Sequence, residues 1–216
     1  MLALRDLGIT TDTPTEVILS TFSPEGEPHA SSVGVWRVEE GVIGLKLFTR
    51  TQSFHNLSRS GTGVINIVNS ARILAEQGLP EILVGGEALK FEASENVDAP
   101  RLQEADAFIE FEVEQIEKET ISDRISTSEL AQIAGNVKHI EAKKLHPHPF
   151  KRTEFFLIES AIIASRALEA KKKGKKRLVR SLVREINYYK DKCEKTAPGT
   201  PEAELITKIL KNLEKV

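Results

Sequence analysis

Short β-prone apolar segments separated by clusters of turn residues make the first 70 residues read as strands. Glu16 to Phe22 is β-prone, and Ser23-Pro24-Glu25-Gly26-Glu27-Pro28 has the residues of a turn. His29 to Val38 is therefore expected to return antiparallel and close a hairpin. After the turn Glu39-Glu40-Gly41, Val42 to Thr49 makes a third strand. Ile43, Leu45 and Leu47 share one of its faces, and Gly44, Lys46 and Phe48 the other. The alternation stops at Thr51. A capping hydroxyl, Phe54 and Leu57 at helical spacing and a terminating Gly61 predict one short helix, with Gly63 to Val68 as a fourth strand.

Ala71 to Gln77 has the pattern of a helical turn or two, and Glu81 to Pro100 is acidic and irregular around a strand signal at Ile82 to Phe91. The cleanest alternation lies in Ala107 to Glu117, where Ile109, Phe111 and Val113 mark a buried face and Glu110, Glu112 and Glu114 a wet one. Ile121 to Thr127 and Asn136 to Lys143 are expected to supply the last strands. Six or more short antiparallel strands with one early helix suit a small closed β-barrel over residues 1–150 better than a parallel α/β sheet. Beyond Leu145-His146-Pro147-His148-Pro149-Phe150 the period changes to 3.6. Phe155, Ile158 and Ile162 line one helix. Leu178, Leu182, Ile186 and Tyr189, flanked by Val179 and Val183, line a second beyond Gly174. Thr200-Pro201-Glu202 opens a third with Leu205, Ile209 and Leu213. Residues 151–216 are thus expected to form a three-helix C-terminal subdomain.

The 216 residues are 40% hydrophobic and 29% charged, a globular composition that excludes wholesale disorder. The best apolar run, Phe155 to Ala164, is short and broken by Glu159 and Ser160, so no membrane-spanning helix is expected. Met1 to Asp6 has no signal-peptide pattern and the single Cys193 cannot form an internal disulfide, so a cytoplasmic location is expected. Charge is unevenly placed. Residues 81–120 carry twelve Asp/Glu against three Lys/Arg, a net of -9, while residues 166–195 carry twelve Lys/Arg against four Asp/Glu, a net of +8. Two differently built regions are implied.

The most informative stretch is Phe48-Thr49-Arg50-Thr51-Gln52-Ser53-Phe54-His55-Asn56-Leu57. A guanidinium, several hydroxyls and the free N–H groups of a helix start converge within one turn of chain, which is the donor set a phosphate dianion requires. The same residues also suit a plain helix cap beside a solvated arginine, so residue types alone leave both readings standing. The second strand holds Ala30-Ser31-Ser32-Val33-Gly34, small side chains mid-strand that let a planar ligand approach the backbone, or that serve a tight barrel corner.

In this order of elements, the strand ending in Thr49-Arg50-Thr51-Gln52-Ser53-Phe54-His55-Asn56-Leu57, followed by Gly63-Val64-Ile65-Asn66-Ile67-Val68-Asn69, resembles the FMN-binding split-barrel superfamily of flavin-reductase-like proteins. Within it the chain is most similar to an archaeal branch, domain of unknown function family 447. That branch has an Asn-Leu helix after a phosphate loop, an Asn in the next strand and a Phe-x-Arg opening a helix. Asn56-Leu57, Asn66 and Phe150-Lys151-Arg152 stand at those places here. The resemblance implies a split β-barrel with FMN at a homodimer interface. It would place the phosphate on Thr49, Arg50, Thr51, Ser53 and Asn56, and the isoalloxazine along Ser31, Ser32, Val33 and Gly34, with Asn66 as a further contact. Where many relatives carry a proline in the small-residue strand, this chain has Val33. The resemblance also implies a reductase or electron-transfer activity using a reduced nicotinamide or another donor; hydride chemistry at a flavin needs no protein acid or base, so the lack of a catalytic dyad in the sequence neither opposes nor supports it.

Other candidates are weaker. His146 and His148 have no ligand partners at metal spacing, and His29, His55 and His139 are isolated in sequence. Cys193 lacks a His partner. Lys171-Lys172-Lys173-Gly174-Lys175-Lys176-Arg177 can bind phosphates, but no aromatic residues are interleaved to stack bases, so nucleic acid is not the expected partner. The alternative function is a non-enzymatic one, in which these basic helices recognise nucleic acid or a protein.

Overall fold

The structure is a computed structural model that describes residues 2–11, 14–83, 88–122, 125, 127–143 and 152–215. Eight strands occur in it: β1 (Thr15–Phe22), β2 (Pro28–Glu39), β3 (Val42–Phe48), β4 (Thr62–Ile67), β5 (Phe91–Ala93), β6 (Pro100–Leu102), β7 (Ala107–Ser122) and β8 (Thr127–Ala142). Helix α1 (Gln52–Ser60) joins β3 to β4. Six strands close into a barrel in the order β1-β2-β3-β8-β7-β4, and β5 and β6 pair separately. The β1–β2 hairpin runs in register from Thr15↔Val35 to Phe22↔Pro28, with Gly26 in the left-handed region at φ +83 where the turn requires it.

The alternating positions fill the barrel. Val17, Leu19, Ile43, Leu45, Ile65, Ile109 and Ile133 are buried in one apolar cluster, closed at one side by Phe54 and Leu57 of α1. Phe111 is its bulkiest fully buried member, and it fits because two neighbouring strands have no side chain at its position. A Cβ on Gly135 would lie 2.5 Å from Phe111 Cδ2, and one on Gly63 would lie 2.9 Å from Phe111 Cζ.

Several expectations are corrected. The segment Ile121 to Thr127 is divided between two strands: Ile121 and Ser122 end β7, Thr127 opens β8, and residues 123, 124 and 126 lie outside the described residues. Asn136 to Ala142 is strand as expected, within the second half of the 16-residue β8. Past Val113 only Ile116 and Ile121 of β7 are apolar, so the strand outlasts the strict alternation that would announce it. Ile82 and Leu83 are buried but not in a strand; they belong to a helical core, and the strand begins only at Phe91. Residues 84–87 of that segment lie outside the described residues. Glu110 does not face water. It is fully buried in β7 and accepts Arg101 Nε at 2.8 Å, Glu95 N at 2.9 Å and Asn96 N at 2.7 Å. Arg101 Nη2 lies 2.6 Å from the same carboxylate oxygen, and Nη1 donates to Glu141 Oε2 at 2.7 Å.

The second compact unit is helical, formed by α2 (Ala71–Gly78), α3 (Arg152–Lys172), α4 (Lys176–Thr196) and α5 (Pro201–Lys215). It takes in α2 and Ile125 as well as the helices after residue 150, so its chain is discontinuous. Gly174, at φ +68, turns the chain between α3 and α4. Leu157, Ala161, Ala164, Leu168, Leu182, Ile186, Cys193, Ile206 and Ile209 are buried in its core. Of the expected stripe Phe155, Ile158 and Ile162, Ile158 packs against this core, while Phe155 and Ile162 are exposed, at 50% and 41%. Apolar residues lie all round α3, and Leu157, Ala161, Ile163, Ala164, Ala167 and Leu168 are among those it buries.

Candidate functional site

Strand β2 is laddered to β1 from Pro28 to Val35, but its ladder with β3 covers only Val35↔Leu45 to Glu39↔Val42. Above that point Trp36 lies over Gly44, where a Cβ would come within 2.5 Å of the indole, and holds the two strands together. Below it, Pro28 to Gly34 has a ladder only with β1 among the described residues, and its other side is a strand edge. Val33 turns its side chain into the core, so it offers the edge only its backbone. Gly34 is small for a local reason, since a Cβ there would sit 3.3 Å from Pro14 Cβ.

Helix α1 starts against this edge. Thr51 is its N-cap, accepting Phe54 N at 3.3 Å and donating to Phe48 O at 2.8 Å. No acid occupies the first turn, and the backbone N–H groups of Gln52 and Ser53 meet no protein partner among the described residues. They are the orphan donors that make a helix start attractive to an anion. Ser53 is buried. Its Oγ lies 2.6 Å from Ser31 Oγ and 3.1 Å from His29 Nε2, so α1 and β2 meet through a three-membered polar chain. The Arg50 guanidinium sits 5.3 Å from the Phe48 ring centroid.

The structure thus brings Ser31, Ser53, Thr51 and the Gln52–Ser53 peptides to one junction, with Arg50 one residue before the cap. It sets others apart. Asn56 is buried and ties α1 to β1, donating to Thr21 Oγ1 at 2.9 Å while accepting Gln52 Nε2 at 2.7 Å. Thr49 is anchored to β8, its N and Oγ1 both directed at Glu129 O, at 3.1 and 3.4 Å. Asn66 is fully buried and committed: Nδ2 reaches Ser20 Oγ at 2.8 Å and Ile18 O at 3.1 Å, and Oδ1 accepts Leu102 N at 2.8 Å. It pins β4, β1 and β6 to one another. His29 was invisible as an isolated histidine, yet the period-two rule puts it on the same face as Ser31, and that was the available signal. Burial lowers its pKa, so its ring is neutral at pH 7.

The donor set fits an organic phosphate with a flat apolar body: helix N–H groups, hydroxyls and a guanidinium at one end, and a strand edge with small side chains beside it. Elsewhere, Glu95, His139 and Glu141 bring potential metal-ligand atoms within 4.8 Å of one another, but the Arg101 guanidinium already lies 2.7 Å from Glu141 and 3.6 Å from Glu95 and answers their charge. Cys193 is buried, and burial, with Glu202 nearby, pushes its thiol up, so it is no nucleophile. His146 and His148 lie outside the described residues. Part of the lysine run is used within the helical unit, Lys171 donating to Leu213 O at 2.8 Å and Lys172 pairing with Glu81 at 3.2 Å.

The model of one family, protein of unknown function (DUF447) N-terminal domain, matches residues 15–142. The chain belongs to the DUF447 family. Among solved structures, the DUF447 chain is similar to the FMN-bound protein MM1853 from Methanosarcina mazei, with a TM-score of 0.70 and 18% identity over 97% of this chain and 99% of that one. That likeness gives the DUF447 chain the split-barrel fold with its C-terminal helices. Partial likenesses extend to nitrilotriacetate monooxygenase component B from Bacillus cereus (TM-score 0.48, 15% identity, 69% and 80% covered) and flavoredoxin of Desulfovibrio vulgaris (0.45, 18%, 62% and 72%). No curated protein sequence matches it. No helix among the described residues is long and apolar enough to cross a membrane.

Proposed function

We propose that this DUF447 protein binds FMN where β2 meets the start of α1 and acts as a flavoprotein of the reductase or electron-transfer type. One observation carries the reading: the stretch of β2 laddered only to β1 lies directly against a helix start whose Gln52 and Ser53 N–H groups have no partner among the described residues, joined to it by the Ser31–Ser53 contact. The FMN in the related Methanosarcina protein supports it. In this reading the Gln52 and Ser53 peptides, Thr51 and Arg50 hold the phosphate, and the backbone from Ser31 to Gly34 positions the ring. Asn56 and Thr49 act behind them as supports, and Asn66 is left out. Bound FMN supplies hydride or electron transfer at its central ring, which asks no acid or base of the protein. A homodimer with FMN near its interface and a reduced nicotinamide as donor belong to the same reading.

The test is the visible spectrum of the protein purified without added cofactor, repeated after adding FMN and dialysing. Flavin bands that are released as FMN on denaturation are the expected result; a colourless protein that retains no added FMN refutes it. A second reading rests on α4, where Lys176, Arg177, Arg180 and Arg184 are exposed and make no ion pair among the described residues. In it the helical unit binds a polyanion, and a salt-sensitive mobility shift with RNA or DNA, lost on neutralising these four, is its signature.

A further inference from the structure

The polar chain His29–Ser53–Ser31 has a property that hydrogen counting reveals. His29 Nε2 is 3.1 Å from Ser53 Oγ, and Ser53 Oγ is 2.6 Å from Ser31 Oγ, so two hydrogen bonds join three groups. When Nε2 is the bare nitrogen, the only protons available are those of the two hydroxyls, and both are consumed within the chain. When Nε2 carries a proton, three protons share two bonds, and one hydroxyl proton is left for an acceptor outside. The neutral ring can take either form, whereas the imidazolium permits only the second.

We propose that His29 is a positioning residue of the flavin site: a proton on its Nε2 frees one hydroxyl proton of the Ser53–Ser31 pair for an acceptor on the bound flavin, so flavin binding disfavours the form with a bare Nε2 and raises the affinity of the ring for a proton. This rests on the FMN reading above. The placement supports it, because Ser31 stands on the stretch of β2 laddered only to β1 among the described residues, and Ser53 in the first turn of α1. Burial keeps His29 short of protons in the free protein, so there is room for a ligand to change its state. The charges on the neighbouring elements are few. Thr21, its register partner on β1, does not titrate. Glu25 and Glu27 lie in the preceding turn, the former held by Ser23 Oγ at 2.9 Å. On α1, Arg59 is engaged with Phe22 O and Ser23 O, His55 packs edge-on against Phe54, and Lys118 of β7 lies over the Phe54 ring. Arg50 precedes the helix. Burial, not any of these charges, sets the His29 shift.

The experiment is an NMR titration of the His29 ring nitrogens in the full chain, with and without FMN. It is paired with FMN affinity between about pH 5.5 and 8.5 in the wild type and in His29→Gln, which hydrogen-bonds without titrating. The FMN phosphate titrates near pH ~6 in both proteins and cancels in the comparison. A rise in the His29 pKa on FMN binding is expected, with wild-type affinity gaining on His29→Gln as the pH falls, by about tenfold for each unit of rise. FMN binding with an unmoved His29 pKa and superimposable pH profiles overturns this inference while leaving the cofactor reading intact. No FMN binding by the wild type overturns both. Where His29→Gln fails to fold, the wild-type ring titration decides alone.

Discussion

Replacing Arg101 with alanine isolates a carboxylate that the fold has already taken out of water. Glu110 has no exposed surface and Arg101 is 4% exposed, so solvent cannot substitute for the lost partner. The variant removes the Nε bond at 2.8 Å, the Nη2 contact at 2.6 Å, the bond to Glu141 and the packing of the guanidinium 4.8 Å from the Phe108 centroid. Glu110 keeps only the Glu95 and Asn96 peptides. Breaking one side of a buried pair costs about 3–5 kcal/mol, a large part of the stability of a typical domain. The pH dependence carries a sign. Burial alone would raise the Glu110 pKa, but the two peptide N–H groups and Arg101 outweigh it and hold the carboxyl below its ordinary value. Its contribution is therefore full above the unfolded value of about 4.3 and is lost as the pH falls through the folded one. Without Arg101 the carboxyl moves up and protonates earlier, so the penalty shrinks on acidification. Urea unfolding followed by the fluorescence of Trp36, the chain's one tryptophan, reads this out in the barrel. A loss below about 1 kcal/mol at pH 7, well under the range for a broken buried pair, or an equal loss at pH 7 and pH 4.5, refutes the reasoning.

Arg50→Ala is expected to weaken FMN binding by about 1.5–3 kcal/mol through loss of a charge-assisted partner, measured by fluorescence quenching; a variant that stays folded and fully yellow contradicts the phosphate assignment. Gly135→Ala drives a methyl into Phe111 and is expected to cost about 1–3 kcal/mol, relieved in the double variant with Phe111→Leu; additivity in that cycle excludes the clash. Asn66→Ala strands the buried Leu102 N–H and is expected to cost about 1–3 kcal/mol in urea unfolding with flavin affinity unchanged. A matching loss of affinity would return Asn66 to the site.

The strands with one apolar and one polar face were readable because a barrel buries one face, as Ile43, Leu45 and Leu47 show. The α1 boundaries were readable because Thr51 and Gly61 act locally, one as a cap and one at φ +70. Glu110 was not, since a buried carboxylate and a wet one leave the same letter in the pattern, and only the approach of Arg101 from β6 tells them apart. Nor was the buried face of α3, because apolar residues lie all round the helix and the period alone does not choose among them. At the candidate site, Ser31 and Ser53 were picked out by type, but whether Asn56 and Asn66 face a ligand or the protein depends on hydrogen bonds to residues distant in sequence.

Helix α2 lies between β4 and β5 in the chain, yet its buried residues Ala71 and Ala75 share a core with α3, α4 and α5. During synthesis α2 emerges long before those partners exist, so its apolar side must wait uncovered while the barrel strands are completed. A fragment that stops at residue 150 never ends that wait. It would carry an orphaned helix bearing Ala71, Ala75 and, just beyond it, Leu79, Ile82 and Leu83, and is expected to self-associate through that surface. Dissecting this protein into two pieces therefore calls for removing a segment from the middle of the barrel's chain, not for a cut at one point.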